Sequence, residues 1–212
     1  MTEQSNLTLQ RTRNPWGQGE KLRTEILVAS ARLLSELGGE EALTIRGVAR
    51  AVGIAPASIY QHFADKAALV AGLIEYDYQQ LATQMQAAHD SLPAEDVVNR
   101  LRAQMRAYCR FAIDNPGHYR LMLNNRSAGP PPAAREQGPL AGIAMLVIAA
   151  FEECEAAGYK LRVPARKAAI TVFVGAHGRV ALWHSSPDDR DADDIIPFVE
   201  ELILLVFADP DV

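Results

Sequence analysis

Between Thr44 and Lys66 the sequence TIRGVARAVGIAPASIYQHFADK gathers side chains suited to gripping an anionic groove. Ala57, Ser58, Tyr60, Gln61 and His62 are small or hydrogen-bonding, with no long carboxylate among them. Hydroxyl and imidazole groups can bond phosphate oxygens, while small and amide side chains can approach base edges. Asp65 is placed to cap a following helix, which puts Lys66 at its first position, where the helix dipole disfavours a cation by about 0.3–1 kcal/mol. A phosphate beside Lys66 would offset that. The motifs of common catalytic sites are missing: there is no Gly-x-Ser-x-Gly, no phosphate loop, no His-Glu-x-x-His and no Cys-x-x-Cys pair. His177 and His184, two turns apart, could share a metal with Asp188 or Asp189, but no closer ligand pair accompanies them. No catalytic residue, metal or cofactor is expected.

The hydrogen-bonding side chains need two short helices to position them. Ile45, Val48, Ala49 and Val52 fall at i, i+3, i+4 and i+7, the spacing of a one-faced helix. Thr44 suits its N-cap, and Gly53 suits the left-handed position that ends it. A second helix can begin around Pro56, which is tolerated in a first turn, and it buries Ile59 and Phe63 one turn apart. Two short helices around one tight turn make a helix-turn-helix, whose second helix meets base edges with its N-terminal residues. A hairpin with a merely solvated polar face fits the hydrophobic spacing alone. The combination of Gly53, Pro56, Tyr60, Phe63 and Lys66 favours DNA reading.

Gly53-Ile54, Ser58-Ile59-Tyr60, His62-Phe63 and Lys66 to Leu69 closely resemble the DNA-binding domain of tetracycline-repressor-type (TetR) transcriptional regulators, over a stretch from Leu22 to Glu75. The resemblance implies backbone contacts for Thr44 and Arg46, base-facing or near-base positions for Ala57, Ser58 and Gln61, and phosphate contacts for Tyr60, His62 and Lys66. Two positions depart from the pattern. Ala55 stands where a capping serine is usual, and Gly47 interrupts a helix at a cost of about 1 kcal/mol relative to alanine. Trp183-His184-Ser185 resembles the Trp-His-Gly segment of one C-terminal domain class in these regulators, with Ser185 in place of the glycine. That likeness implies a ligand-binding and dimerisation domain.

The 212 residues, 49% hydrophobic and 22% charged, have an ordinary soluble composition with room for one sizeable core and a smaller subdomain. No apolar run is long enough to span a bilayer, and Met1 to Gln10 lacks a signal peptide's hydrophobic region, so a cytoplasmic protein without a membrane partner is expected. Cys109 and Cys154 are too few for a disulfide framework and read as buried reduced thiols. The net charge of −5 is unevenly spread. Residues 1–66 hold eight basic against seven acidic side chains, a net +1, which leaves −6 on the remainder and confines favourable DNA contact to the N-terminal part.

Residues 1–20, with Arg11, Arg13 and Asn14-Pro15-Trp16, have no helical period and read as a flexible basic arm; a minor-groove contact and a frayed end fit equally. Residues 21–66 form the expected DNA-binding domain, with a bracing helix on Leu22, Ile26, Ala29, Leu33 and Leu37 ahead of the hairpin. Residues 67–212 form the expected effector-binding and dimerisation domain, entered along a connector helix with Leu69, Leu73 and Tyr76. Ser127 to Pro132 is a strong helix breaker. The last helix is apolar on two sides: Ile195, Phe198, Leu202 and Leu205 form one stripe, and Ile196, Val199, Ile203 and Val206 another about 100° away. One stripe can face the core and the other needs a partner. The preceding helix offers Ala169, Val172, Ala176, Val180 and Trp183, with Gly175 and Gly178 allowing close approach. A homodimer through residues 165–208 is the simplest arrangement, although a buried central helix would give the same pattern.

Met105, Tyr108, Cys109, Phe111, Met122, Phe151, Phe173, His177 and Trp183 are candidate walls of an effector pocket, and plain core packing explains each as well. The expected protein is all-α, with a three-helix helix-turn-helix domain followed by a larger helical ligand-binding and dimerisation domain. Its expected role is a ligand-responsive, sequence-specific DNA-binding regulator: a repressor released from a palindromic double-stranded operator by an unidentified small molecule. An all-helical small-molecule-binding protein or enzyme with a vestigial hairpin is the alternative.

Overall fold

The computed structural model describes residues 18–124, 139–185 and 192–208. The basic arm at Arg11 and Arg13, the breaker at Ser127 to Pro132, and Asp188 and Asp189 lie outside the described residues. Within them the regular structure is helical, with a single antiparallel bridge between Leu161 and Phe207.

Three helices build the first, smaller core: α1 (Gln18–Leu37), α2 (Ile45–Val52) and α3 (Pro56–Ile59). Helix α1 buries Ile26, Leu27 and Leu34, and its buried Ser30 hydroxyl donates to the Ile26 carbonyl at 2.8 Å. The expected stripe runs off that face at its end, where Leu33 is half-buried and Leu37 is 50% exposed. The reason is that α1 is covered by α2 and a long fourth helix along its length and by a sixth helix near its C-terminus, which moves the covered arc to Leu34.

The long helix α4 (Lys66–Asp90) has 25 residues, about 37 Å at 1.5 Å per residue. Leu69, Val70 and Leu73 belong to the smaller core, whereas Tyr78, Leu81 and Met85 belong to the larger one, so a single rod passes through both. Helix α5 (Val97–Asp114) stops at Asn115, and α6 (Pro116–Asn124) begins on a proline, whose missing N–H is no loss in a first turn. Helices α7 (Pro139–Ala156), α8 (Ala165–Ser185) and α9 (Ile195–Val206) complete the body. Helix α7 packs on α4, α5 and α8, and α9 packs on α8 and α5. Arg106 of α5 pairs with Glu200 of α9 across that contact.

The expected seam on α8 is corrected by the packing. Ala169, Val172, Ala176 and Val180 are fully buried in the chain's own core, and Trp183 packs partly buried against it. Small residues let α8 sit close between its neighbours, so its small-residue face is the inner one. Its outer face instead carries Ile170, Val174 and Leu182, which are 39%, 61% and 53% exposed. On α9 the inner stripe is Val199, Ile203 and Val206, while Leu205 is 68% exposed and Phe198 and Leu202 are half-buried. A Cβ on Gly175 would stand 2.5 Å from Leu202 Cδ1, so that glycine serves the approach of α8 to α9 within one chain.

Candidate DNA interface and buried cavity

The hairpin is closed at both ends by its own sequence. Thr44 is extended and its hydroxyl accepts the Gly47 N–H at 3.0 Å, capping α2. Gly53 ends that helix at φ 75°, a left-handed conformation that a side chain disfavours. Ala55 gives α3 no side-chain cap, and α3 is a single turn of four residues. The chain stays coiled past it: the N–H groups of His62 and Phe63 both donate to the Ile59 carbonyl at 2.9 Å. Ile59 and Phe63 are the buried anchors, at 0% and 4% exposure. Thr44, Arg46, Ala57, Tyr60 and Gln61 are exposed, and Ser58, His62 and Lys66 are half-buried.

Lys66 differs from its expected surroundings. Its Nζ donates to the Glu40 carbonyl at 2.9 Å, so a backbone oxygen in the Glu40–Ala42 turn already offsets the dipole at the start of α4. An ammonium has three donors, and a phosphate contact would use another of them. Two supports of the hairpin could not be read from local spacing. The Arg23 guanidinium lies 5.3 Å from the centre of the Phe63 ring, and a Cβ on Gly72 of α4 would meet Phe63 Cε1 at 2.8 Å.

In the body, Tyr108, Tyr119 and His177 form a polar knot. The Tyr108 hydroxyl is 2.7 Å and the Tyr119 hydroxyl 2.8 Å from His177 Nδ1, and the two hydroxyls are 3.1 Å apart. Burial, followed by the neighbouring Tyr119, pushes the Tyr108 hydroxyl well above its ordinary value, so it stays a neutral donor. The knot borders a cavity of about 10 Å³ lined also by Tyr78, Leu81, Met122, Leu123 and Leu140. Of the candidate walls, Tyr108, Met122 and His177 meet there. Met105 and Cys109 face α9 instead, Phe151 stacks on Phe207, Phe173 packs edge-on against Tyr108, Phe111 is buried in the surrounding core, and Trp183 lies edge-on to His184. His184 stacks on Tyr119 with ring centres 4.9 Å apart; its Nε2–H donates to the Ala112 carbonyl, and desolvation lowers its pKa. Burial pushes the thiols of Cys109 and Cys154 up to about 12, which keeps both protonated and inert.

Tyr78 and Tyr119 border the cavity, and the residues immediately before them form a joint to the first core. His118 Nδ1 lies 2.9 Å from Asp77 Oδ1, and its Nε2 lies 2.9 Å from Ser35 Oγ and 3.1 Å from the Ala31 carbonyl. A carbonyl only accepts, so Nε2 carries a proton and one further proton is shared between Nδ1 and Oδ1. Asp77 is 2% exposed and its Oδ2 finds no partner among the described residues. Burial raises the Asp77 carboxyl above 3.8, with His118 opposing. Next to His118, a Cβ on Gly117 would come within 3.3 Å of the Leu34 carbonyl, so α6 touches the C-terminal end of α1. Sequence reading missed this joint, because its partners are 41 and 83 residues apart.

The chain thus joins a capped helix-turn-helix, a form in which proteins meet DNA, to a larger helical body that encloses a small, mostly apolar cavity. Residues 26–73 match the family described as bacterial regulatory proteins, tetR family, and residues 101–204 match the tetracyclin repressor-like C-terminal domain. The chain belongs to the TetR family of bacterial regulatory proteins. It is 36% identical over 103 residues to the nucleoid occlusion factor SlmA of Photobacterium profundum, covering 49% of this chain and 52% of that protein. The chain thus spans about half the length of the curated relatives it matches. In fold it resembles a protein of unknown function from a Rhodococcus species, at a TM-score of 0.71 and 23% identity over 92% of this chain and 99% of that one. It also resembles a TetR family transcription regulator from Marinobacter aquaeolei, at 0.62 and 19% over 90% and 97%. No helix among the described residues is long and apolar enough to cross a membrane.

Proposed function

We propose that two copies of this chain occupy a palindromic operator as a cytoplasmic repressor and leave it when a small molecule binds the body. The observation that carries the reading is the capped hairpin, which buries Ile59 and Phe63 and turns Tyr60 and Gln61 outward. Thr44, Arg46, Tyr60, His62 and Lys66 hold the DNA backbone, and Ala57, Ser58 and Gln61 face the bases. Residues 1–20 add an arm, residues 21–66 read the operator, and residues 67–212 bind the effector and the second copy. Dimerisation through residues 165–208 is supported by the outward row of Ile170, Val174, Leu182 and Leu205, an apolar face that pairing of α8 and α9 across a two-fold axis would cover.

The effector acts at Tyr108, Met122, His177 and the other cavity walls, and its effect passes along α4 and α6. These two helices border the cavity through Tyr78 and Tyr119 and hold α1 through Asp77 and His118. A ligand that binds the DNA-incompetent state more tightly shifts the population towards it, and only that difference in affinity drives release. Sequencing genomic fragments retained by the purified protein at low salt tests the reading. An inverted repeat with half-site centres ~34–36 Å or a multiple apart is expected. Retention of fragments that share no sequence would overturn it.

A further inference from the structure

We infer that Arg23 of α1 is a further DNA-backbone contact: its guanidinium, seated on the Phe63 ring, binds a phosphate beside the recognition segment. This rests on the reading of the hairpin as a DNA interface, and adds to it a cation from outside the hairpin.

Arg23 is half-buried near the start of α1, with its guanidinium 5.3 Å from the centre of the Phe63 ring. A Cβ on Gly72 would stand 3.5 Å from Arg23 Nη2, so the same group lies against the second turn of α4. Phe63 follows His62 directly and precedes Lys66 by three residues, and those two are among the proposed backbone contacts. The long side chain thus carries a charge from α1 to the end of the recognition segment.

Bracing Phe63 does not by itself call for a charge. A leucine or methionine would cover the ring without the desolvation that a guanidinium undergoes there. The ring attracts the cation through its face but offers no oxygen to its five N–H groups. Among the described residues no oxygen is hydrogen-bonded to them, whereas Arg32 of the same helix pairs with Glu36 and Lys66 donates to the Glu40 carbonyl.

The chemistry that matches such a group is a pair of phosphate oxygens. A guanidinium presents parallel N–H groups that bind phosphate in a bidentate way, and an aromatic ring beside it orients the fork before DNA arrives. Holding the side chain on Phe63 in the free protein reduces the rotamer freedom lost on binding. Phosphates are alike at every base pair, so Arg23 adds grip and register without adding sequence preference.

The test titrates the full chain with a fluorescent mixed-sequence duplex and with a genomic fragment it retains, over a series of salt concentrations. Arg23→Met keeps an unbranched apolar stem on Phe63 and removes the charge. It should weaken binding about tenfold for each bound chain, equally on both duplexes, and reduce the slope of log affinity against log salt by about 0.9 for each bound chain. Its melting temperature should stay within about 4 °C of wild type. Arg23→Lys should keep the slope and, having lost the fork, bind about threefold more weakly. Arg110→Met, which removes an exposed charge from the body, should change neither slope nor affinity. Should Arg23→Met fail to fold, phenylglyoxal modification of the wild-type chain gives a second reading: saturation with duplex should slow the reaction of Arg23 at least about threefold and leave that of Arg110 unchanged. A salt slope in Arg23→Met equal to that of wild type, with or without a fall in stability, assigns Arg23 to bracing alone and overturns the inference, as does an undiminished reaction of Arg23 on DNA. Wild-type protein that binds neither duplex at low salt overturns the reading of the hairpin itself, and the inference with it.

Discussion

In the proposed reading, Tyr60 and Lys66 grip the DNA backbone, whereas Ser58 and Gln61 choose among bases. Replacing Tyr60 or Lys66 should weaken all DNA sites alike, and loss of the Lys66 charge, unlike loss of the neutral Tyr60 hydroxyl, should also reduce the salt slope by about one counterion. Replacing Ser58 or Gln61 should leave the slope and relax sequence preference by about 1–3 kcal/mol per read base. Binding isotherms over a range of salt, on matched and mismatched fragments, separate the two; identical profiles for both groups would remove the assignment. Lys66 carries a complication. Because its ammonium also ties α4 to the Glu40 carbonyl, its loss should lower stability as well as affinity, whereas Tyr60→Phe should not. At this scale the sequence was informative where partners are local. Thr44 and Gly53 act within one turn, so their roles follow from residue type. The partner of Lys66 is 26 residues away, and no spacing rule reaches it.

At the scale of helices, amphipathic spacing located the elements and the buried side of the α8 stripe, but not the neighbours that cover it. A stripe such as Ala169, Val172, Ala176 and Val180 announces a buried side without naming the neighbour, and α7 and α9 of the same chain proved to be the neighbours. The joint between α4, α6 and α1 was invisible for a related reason: Asp77 and His118 are polar residues whose burial depends wholly on tertiary contact. Asp77→Asn should keep the joint, since an amide N–H can donate to His118 Nδ1. His118→Ala should cost about 3 kcal/mol or more by leaving a buried acid without its partner. The pH dependence has a definite sign. Burial raises the folded carboxyl above 3.8, so the native chain binds that proton more tightly than the unfolded one. The contribution is full below 3.8 and is lost as pH rises through the raised value. Denaturant midpoints from pH 3.8 upward should therefore fall for wild type relative to Asp77→Asn. A rise over that interval would mean that the anion, held by His118, is the favoured form.

For the whole molecule, the acidic body and the short recognition helix both argue for two copies. One turn of helix offers few base contacts, and a body carrying −6 confines favourable contact to a small part of each chain. The all-helical order of elements was legible because helix caps and breakers are local signals. The cavity was not, because Tyr78, Tyr119, Leu123 and Leu140 come together only when α4, α6 and α7 pack. Leu205→Glu on the outer face of α9 should yield folded monomers that lose operator affinity, because a charge cannot be buried unpaired in an apolar seam.

Sedimentation of the wild-type chain with a retained operator fragment, at micromolar concentration, tests the central claim most directly. Two 23.1 kDa chains on each operator, reduced to unbound single chains in Leu205→Glu, is the expected result. One chain per operator, or an assembly unchanged in the variant, would contradict it.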